Sequence, residues 1–190
     1  MRNTEGTAVH ALHARKIVIM LVALSVAATF LTAFLRGPTG PGRQEAAKAR
    51  QAGADAGEIA ALMQKVQQNP GDAESLSKLG ELFSRAKDWP NAVTFWGKVI
   101  ELDAGDDDAY YHRAHGLLEL QRFDDALADY AAIIRLTPGS AVAHYYTAMI
   151  QKYEKNAPDL AREHLQKALA AQPKDKGLLA EINKELASLK

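Results

Sequence analysis

Along the chain, apolar positions recur at intervals of four and three residues. In RFDDALADYAAIIRLTP (Arg122–Pro138), Ala126, Tyr130 and Ile133 lie four and then three apart, which sets them on one face of a helix. Pro138 cannot continue that helix and marks its end. Ala92, Trp96, Val99 and Ala104 hold the same relative places 34 residues earlier, and Ala161, Leu165, Ala168 and Pro173 hold them again 35 residues later. Upstream of each helix lies a second amphipathic stretch: AESLSKLGELFSRA, DAYYHRAHGLLELQ and AVAHYYTAMIQKYEK. The unit is therefore a helix pair, repeated three times. The one extra residue falls in KNAPD, a turn, where insertion costs least.

Small residues mark close helix crossings at Gly80, Ala92, Ala114, Ala126, Ala148 and Ala161, while Trp96, Tyr130 and Leu165 are placed to fill the space between successive units. Pro90 and Pro158 fall in the first turns of second helices, where a missing N–H does no harm. A helix pair cannot bury its apolar face alone, so each must stack on its neighbour, and the two ends need covers. GEIAALMQKVQQNP aligns Ile59, Leu62, Met63 and Val66 in one stripe before the first unit, and KGLLAEINKELASLK aligns Leu178, Leu179, Ile182, Leu186 and Leu189 after the last.

A 34-residue period with two helices per unit resembles the tetratricopeptide repeat (TPR) family. The residues that carry the likeness are Leu76, Leu79-Gly80, Phe83, Trp89, Ala92 and Trp96 in the first unit, and Tyr110, Arg113-Ala114, Leu117, Phe123, Ala126 and Tyr130 in the second. The third departs from the pattern, with Gln151 where a large apolar residue is usual and small Ala157 near the turn. The resemblance implies an all-α, right-handed TPR solenoid of three helix pairs, with repeats at about 73–106, 107–140 and 141–175. A capping helix at 176–190 completes a TPR domain spanning 56–190.

Before the repeats, Ile17–Leu35 reads IVIMLVALSVAATFLTAFL, 19 residues without a charge. As a helix it spans about 28 Å, close to the hydrocarbon thickness of a bilayer. A cleaved signal peptide with SVA (Ser25–Ala27) as its cleavage site is the competing reading; the apolar run continues past that point to Leu35, which favours an uncleaved anchor. The expected order is thus a tail at 1–16, one transmembrane helix at 17–35, a linker at 36–55 and the TPR domain. Arg36–Arg43, RGPTGPGR, is expected to be irregular, and the Ala-rich stretch after it to be a spacer with room for helix. Flanking charges nearly tie, and Arg15 and Lys16 abutting the segment favour an internal amino terminus with the domain outside, periplasmic in a bacterium.

Overall charge is zero, but residues 71–190 hold 15 Lys/Arg against 19 Asp/Glu. An acidic domain does not attract phosphate backbones, so nucleic acid is disfavoured as a partner. The absence of cysteine removes disulfides, thiol nucleophiles, Cys-based zinc sites and haem-attachment motifs. No phosphate loop, HExxH or Gly-x-Ser-x-Gly turn occurs, so no enzyme and no cofactor are expected. Asp106, Asp107 and Asp108 read as residues before and within a first helical turn, where the dipole favours them. His112 and His115, three apart on one helix, are the alternative of a different class: a metal or haem-iron site lacking an obvious third ligand.

In TPR proteins the first helices of the units line a concave face that binds peptides. The resemblance places Ser77, Glu81 and Ser84 from the first unit on that face, with Tyr111, His115 and Leu118 from the second and Tyr145, Met149 and Lys152 from the third. Two tyrosines, a methionine and a leucine in one row are more apolar than solvent requires, which suggests a protein or peptide partner. Glu81, His115 and Met149 stand where a carboxylate-clamping domain of the family would need Asn, so that clamp is not expected. The layout of anchor, spacer, LMQKVQQNPGDAESLSKLGELF and AREHLQKALAAQP is similar to the TPR subunits of c-type cytochrome biogenesis, which implies an apocytochrome as client. A secretion or pilus assembly factor would have the same layout.

Overall fold

The computed structural model describes residues 41–189, and among them the backbone forms eight helices and no strand. They are α1 (Pro41–Gln68), α2 (Ala73–Arg85), α3 (Trp89–Leu102), α4 (Asp107–Glu119), α5 (Phe123–Leu136), α6 (Ala141–Tyr153), α7 (Pro158–Ala170) and α8 (Lys176–Ser188). Asp55–Lys190 make up one compact unit, and Met1–Ala54 the other. The expected tail, the Ile17–Leu35 anchor and linker residues 36–40 lie outside the described residues. No helix among the described residues is long and apolar enough to cross a membrane. α1 begins at Pro41, so the end of RGPTGPGR, expected to be irregular, is helical, and the Ala-rich spacer continues the same helix. Proline is tolerated at a first helical position, and alanine has the highest helix propensity of any residue.

Local chemistry fixes where the helices start. Asp72, Asp88, Asp106, Ser140 and Asp175 each accept a hydrogen bond from the backbone N–H three residues on, the standard satisfaction of an orphan donor. Asp106 thus caps α4, with Asp107 and Asp108 in its first turn. The turn inside each pair is built on one residue in left-handed conformation, Lys87 (φ 59°) and then Gln121 (φ 57°). In both, the next N–H reaches back to close the preceding helix: Asp88 to the Phe83 carbonyl at 2.9 Å, and Arg122 to the Leu117 carbonyl at 2.8 Å. In the third pair the left-handed residue is Asn156 (φ 50°), one place later than the period requires. The inserted residue is absorbed there, in the turn.

Each helix packs on the next in sequence from α2 through α8, and the core runs as three successive clusters. Leu62, with Ile59 and Val66 of α1 beside it, closes the first cluster, which is built on Leu76, Leu79, Leu82, Ala92 and Trp96. Ile182 and Leu189 close the third against Leu165 and Ala168. Gly80 shows why small residues stand at the crossings: a β-carbon there would lie 2.7 Å from Trp96 Cε2. Trp96 in turn stacks on His112 of the following unit at 4.6 Å between ring centroids, and Tyr130 stacks on Tyr146 at 5.5 Å. These are the inter-unit fillers expected of those positions.

Inside the pairs, equivalent positions are filled in three different ways. The first unit has Leu79 and Phe95, with Phe95 stacked on Phe83 at 5.4 Å. In the second, Arg113 and Asp129 stand there: Nε donates to Oδ2 at 2.9 Å and Nη2 to Oδ1 at 2.5 Å, with Asp129 only 2% exposed. In the third, Thr147 and His164 stand there, and His164 meets buried His144, three residues before Thr147, with their Nδ1 atoms 3.1 Å apart. His144 Nε2 lies 3.1 Å from the Pro138 carbonyl, to which only an N–H can donate. In a neutral His144 ring Nδ1 is then bare and accepts from Nδ1–H of His164. Burial first, and His144 second, hold His164 below the ordinary imidazole range.

Candidate binding face

The first helices α2, α4 and α6 carry the residues singled out in the sequence. On α2, Ser77 and Ser84 are half-buried and Glu81 is exposed. Ser77 is turned onto its own helix, its hydroxyl donating to the Ala73 carbonyl at 2.8 Å. On α4, Tyr111 and Leu118 are half-buried against the second core cluster, and His115 lies edge-on to Trp89 at 5.4 Å. On α6, Tyr145 and Met149 are half-buried against the third cluster. Lys152 is not turned outward for a partner. Its ammonium donates to Glu185 at 2.6 Å and to Ser188 at 2.7 Å, and the Glu185 bond holds its pKa above the ordinary value. The closing helix α8 therefore occupies Lys152, a contact that spacing within the repeats does not reveal.

Aromatic rings join α4 to α6. His112, stacked on Trp96, meets Tyr111 at 5.6 Å; Tyr111 meets Tyr146 at 6.2 Å; and Tyr146 meets Tyr145 at 5.4 Å while stacking on Tyr130. Tyr146, not among the residues picked from the sequence, is the hub of this chain. The signal was available in the doublet Tyr145-Tyr146: adjacent helical residues lie about 100° apart, so one can line the face while the other reaches the junction beneath it. Burial, and then the neighbouring Tyr146, raise the Tyr111 pKa; burial, and then Glu181 and Glu185, raise that of Tyr145. Both stay neutral phenols at physiological pH. Below them the Tyr130 hydroxyl is buried without a hydrogen-bond partner, as is the Trp96 indole N–H.

His112 and His115 are held by different indoles, Trp96 and Trp89. Among the described residues no group of three or more His, Cys, Asp or Glu is placed to hold a metal ion. A groove of about 460 Å³ is lined by α3, α4 and α5, where Arg113 and Arg122 are already paired with Asp129 and Asp125.

This arrangement of stacked helix pairs is shared with known proteins. A crystal structure of MamA superposes with a TM-score of 0.60 over 75% of this chain and 90% of that one, at 22% identity. The TPR2B domain of yeast Sti1, solved in complex with pHsp70, gives 0.55 over 62% and 94%, at 27% identity. The fold is a TPR solenoid. In sequence, the chain is 33% identical over 81 residues to the tetratricopeptide repeat and J domain-containing co-chaperone DNJ1 of Cryptococcus neoformans, a match covering 43% of this chain and 15% of that protein. No family model matches. The TPR solenoid accounts for the placement of the face, since it sets the first helices of all three units side by side.

Proposed function

We propose that this protein is a membrane-anchored TPR scaffold that binds a segment of another protein on its first-helix face and holds it near the bilayer. The observation that carries the reading is the aromatic row of Tyr111 and Tyr145, half-buried on successive first helices and joined across the unit junction by Tyr146. Aromatic side chains of this kind supply large contact area at low entropic cost. The Sti1 domain in complex with pHsp70 supports the use of this fold for binding protein segments. The 19-residue apolar run at Ile17–Leu35 supports the anchor. The layout supports a client in envelope assembly, c-type cytochrome biogenesis being the system that the layout resembles. The scaffold performs no chemistry itself; its contribution is to raise the local concentration of its client at the membrane.

Two measurements test this reading. Carbonate-washed membranes should retain the full chain and lose a variant lacking residues 17–35; retention of both would remove the anchor. Affinity capture from detergent-solubilised membranes should recover partners with the wild type and several-fold less with Tyr111→Ala/Tyr145→Ala. Equal recovery by both would take the binding function away from this face.

A further inference from the structure

The electrostatics of the face go further than its shape. Every cation on α2, α4 and α6 is already held by a carboxylate of the same chain: Lys78 by Glu81 at 3.5 Å, Arg85 by Asp55 at 3.5 Å, Arg113 by Asp129 and Lys152 by Glu185. Two carboxylates one turn before the row have no such partner. Glu74 precedes Ser77 by three residues and Asp108 precedes Tyr111 by three, and both are exposed. Their three-residue offset sets each beside the face on its own helix. At the other end, Glu181 and Glu185 lie near Tyr145 but are themselves paired, with Lys184 at 3.1 Å and Lys152 at 2.6 Å. A ligand on this face thus meets neutral aromatic rings with the unpaired carboxylates Glu74 and Asp108 beside them, and no unpaired cation from the first helices.

We infer that the occupant is a basic, aromatic- or aliphatic-rich segment of a partner protein, whose Lys or Arg side chains pair with Glu74 and Asp108 and pack over the tyrosine rings. An ammonium or guanidinium over a neutral tyrosine is attracted by the ring, and long basic side chains cover apolar surface with their stems. An acidic segment or a free carboxylate would meet like charge with nothing to offset it. The inference rests on the first-helix face being the binding surface.

The test uses the full chain in uncharged detergent and two labelled peptides of equal length. One alternates Phe/Leu with Arg, and the other has Glu in place of every Arg. Fluorescence anisotropy should show the Arg peptide bound about tenfold or more tightly, with the preference shrinking as salt rises. Glu74→Gln/Asp108→Asn should erase most of that preference, and Tyr111→Ala/Tyr145→Ala should weaken binding of the Arg peptide severalfold; circular dichroism confirms that the variants fold. Equal or tighter binding of the Glu peptide, binding of neither, or an unchanged preference in the Glu74/Asp108 variant overturns the inference. Loss of Glu-peptide binding in the tyrosine variant would leave the face as the binding surface with its chemistry misread. An Arg peptide that binds the tyrosine variant as well as the wild type would sink the face along with the inference.

Discussion

The second unit carries a sharp energetic prediction. Asp129 is 2% exposed, and both its oxygens are bonded by the guanidinium of Arg113. Arg113→Leu removes both donors and leaves a carboxylate in the interior. Stranding one member of a buried pair costs about 3–5 kcal/mol. The Arg113 side chain is 27% exposed, so water reaches the vacated space and lowers the expected loss to about 2–4 kcal/mol. Asp129→Phe alone leaves a part-exposed cation against an aromatic ring and should cost about 1–3 kcal/mol. The double variant copies what the first unit has at these positions, Leu79 and Phe95, and should fall within about 1 kcal/mol of the wild type. Urea denaturation of the four proteins, compared at equal slope, yields the coupling energy, expected at about 3–7 kcal/mol. Additive losses would refute the reasoning, because they would mean that the units do not share one architecture with interchangeable fillings.

Other outcomes follow from the same packing. Gly57→Ala, in a helix with nothing within 4 Å of the new methyl group, should stabilise by about 1 kcal/mol; Gly80→Ala, meeting the Trp96 ring at 2.7 Å, should instead destabilise by about 1–2 kcal/mol in thermal melts. Trp96→Ala should cost about 3–5 kcal/mol by denaturant titration, since it opens the junction between the first two units. Lys87→Gly, at φ 59°, should raise the melting temperature, left-handed backbone being easier for glycine. His164 is held below its ordinary pKa, so the unfolded chain binds its proton first as pH falls. The His164 contribution to stability is therefore present above about pH 6.5 and declines below it, and His164→Gln should flatten that limb of the stability–pH curve.

The solenoid was legible because its signal is periodic. Small residues at crossings and Trp96, Tyr130 and Leu165 at junctions repeat at 34 or 35 places, and a repeated constraint shows through local variation. The helix α1 was less legible at its start, since RGPTGPGR reads as a breaker, and helix propensity downstream decides where the chain becomes regular. Contacts made once, outside the period, were hidden. Lys152 has the spacing of a face residue, but Glu185 and Ser188 of α8 claim it from 33 and 36 residues away. The His144–His164 and Arg113–Asp129 pairs were equally hidden, because each joins two helices at positions where the first unit uses the apolar Leu76, Leu79 and Phe95. Tyr146 was hidden by its neighbour: one of two adjacent tyrosines had to be chosen for the face, and the structure uses both.

The central claim, that the first-helix face is where this protein meets its partner, is tested most directly by site-specific photo-crosslinking in the cell of origin. A photoreactive phenylalanine analogue is placed singly at Ser77, Tyr111 and Tyr145 on first helices, and at Thr94, Ala131 and Gln166 on second helices. Partner adducts are expected from the first set and none above background from the second. Adducts confined to the second set would contradict the claim.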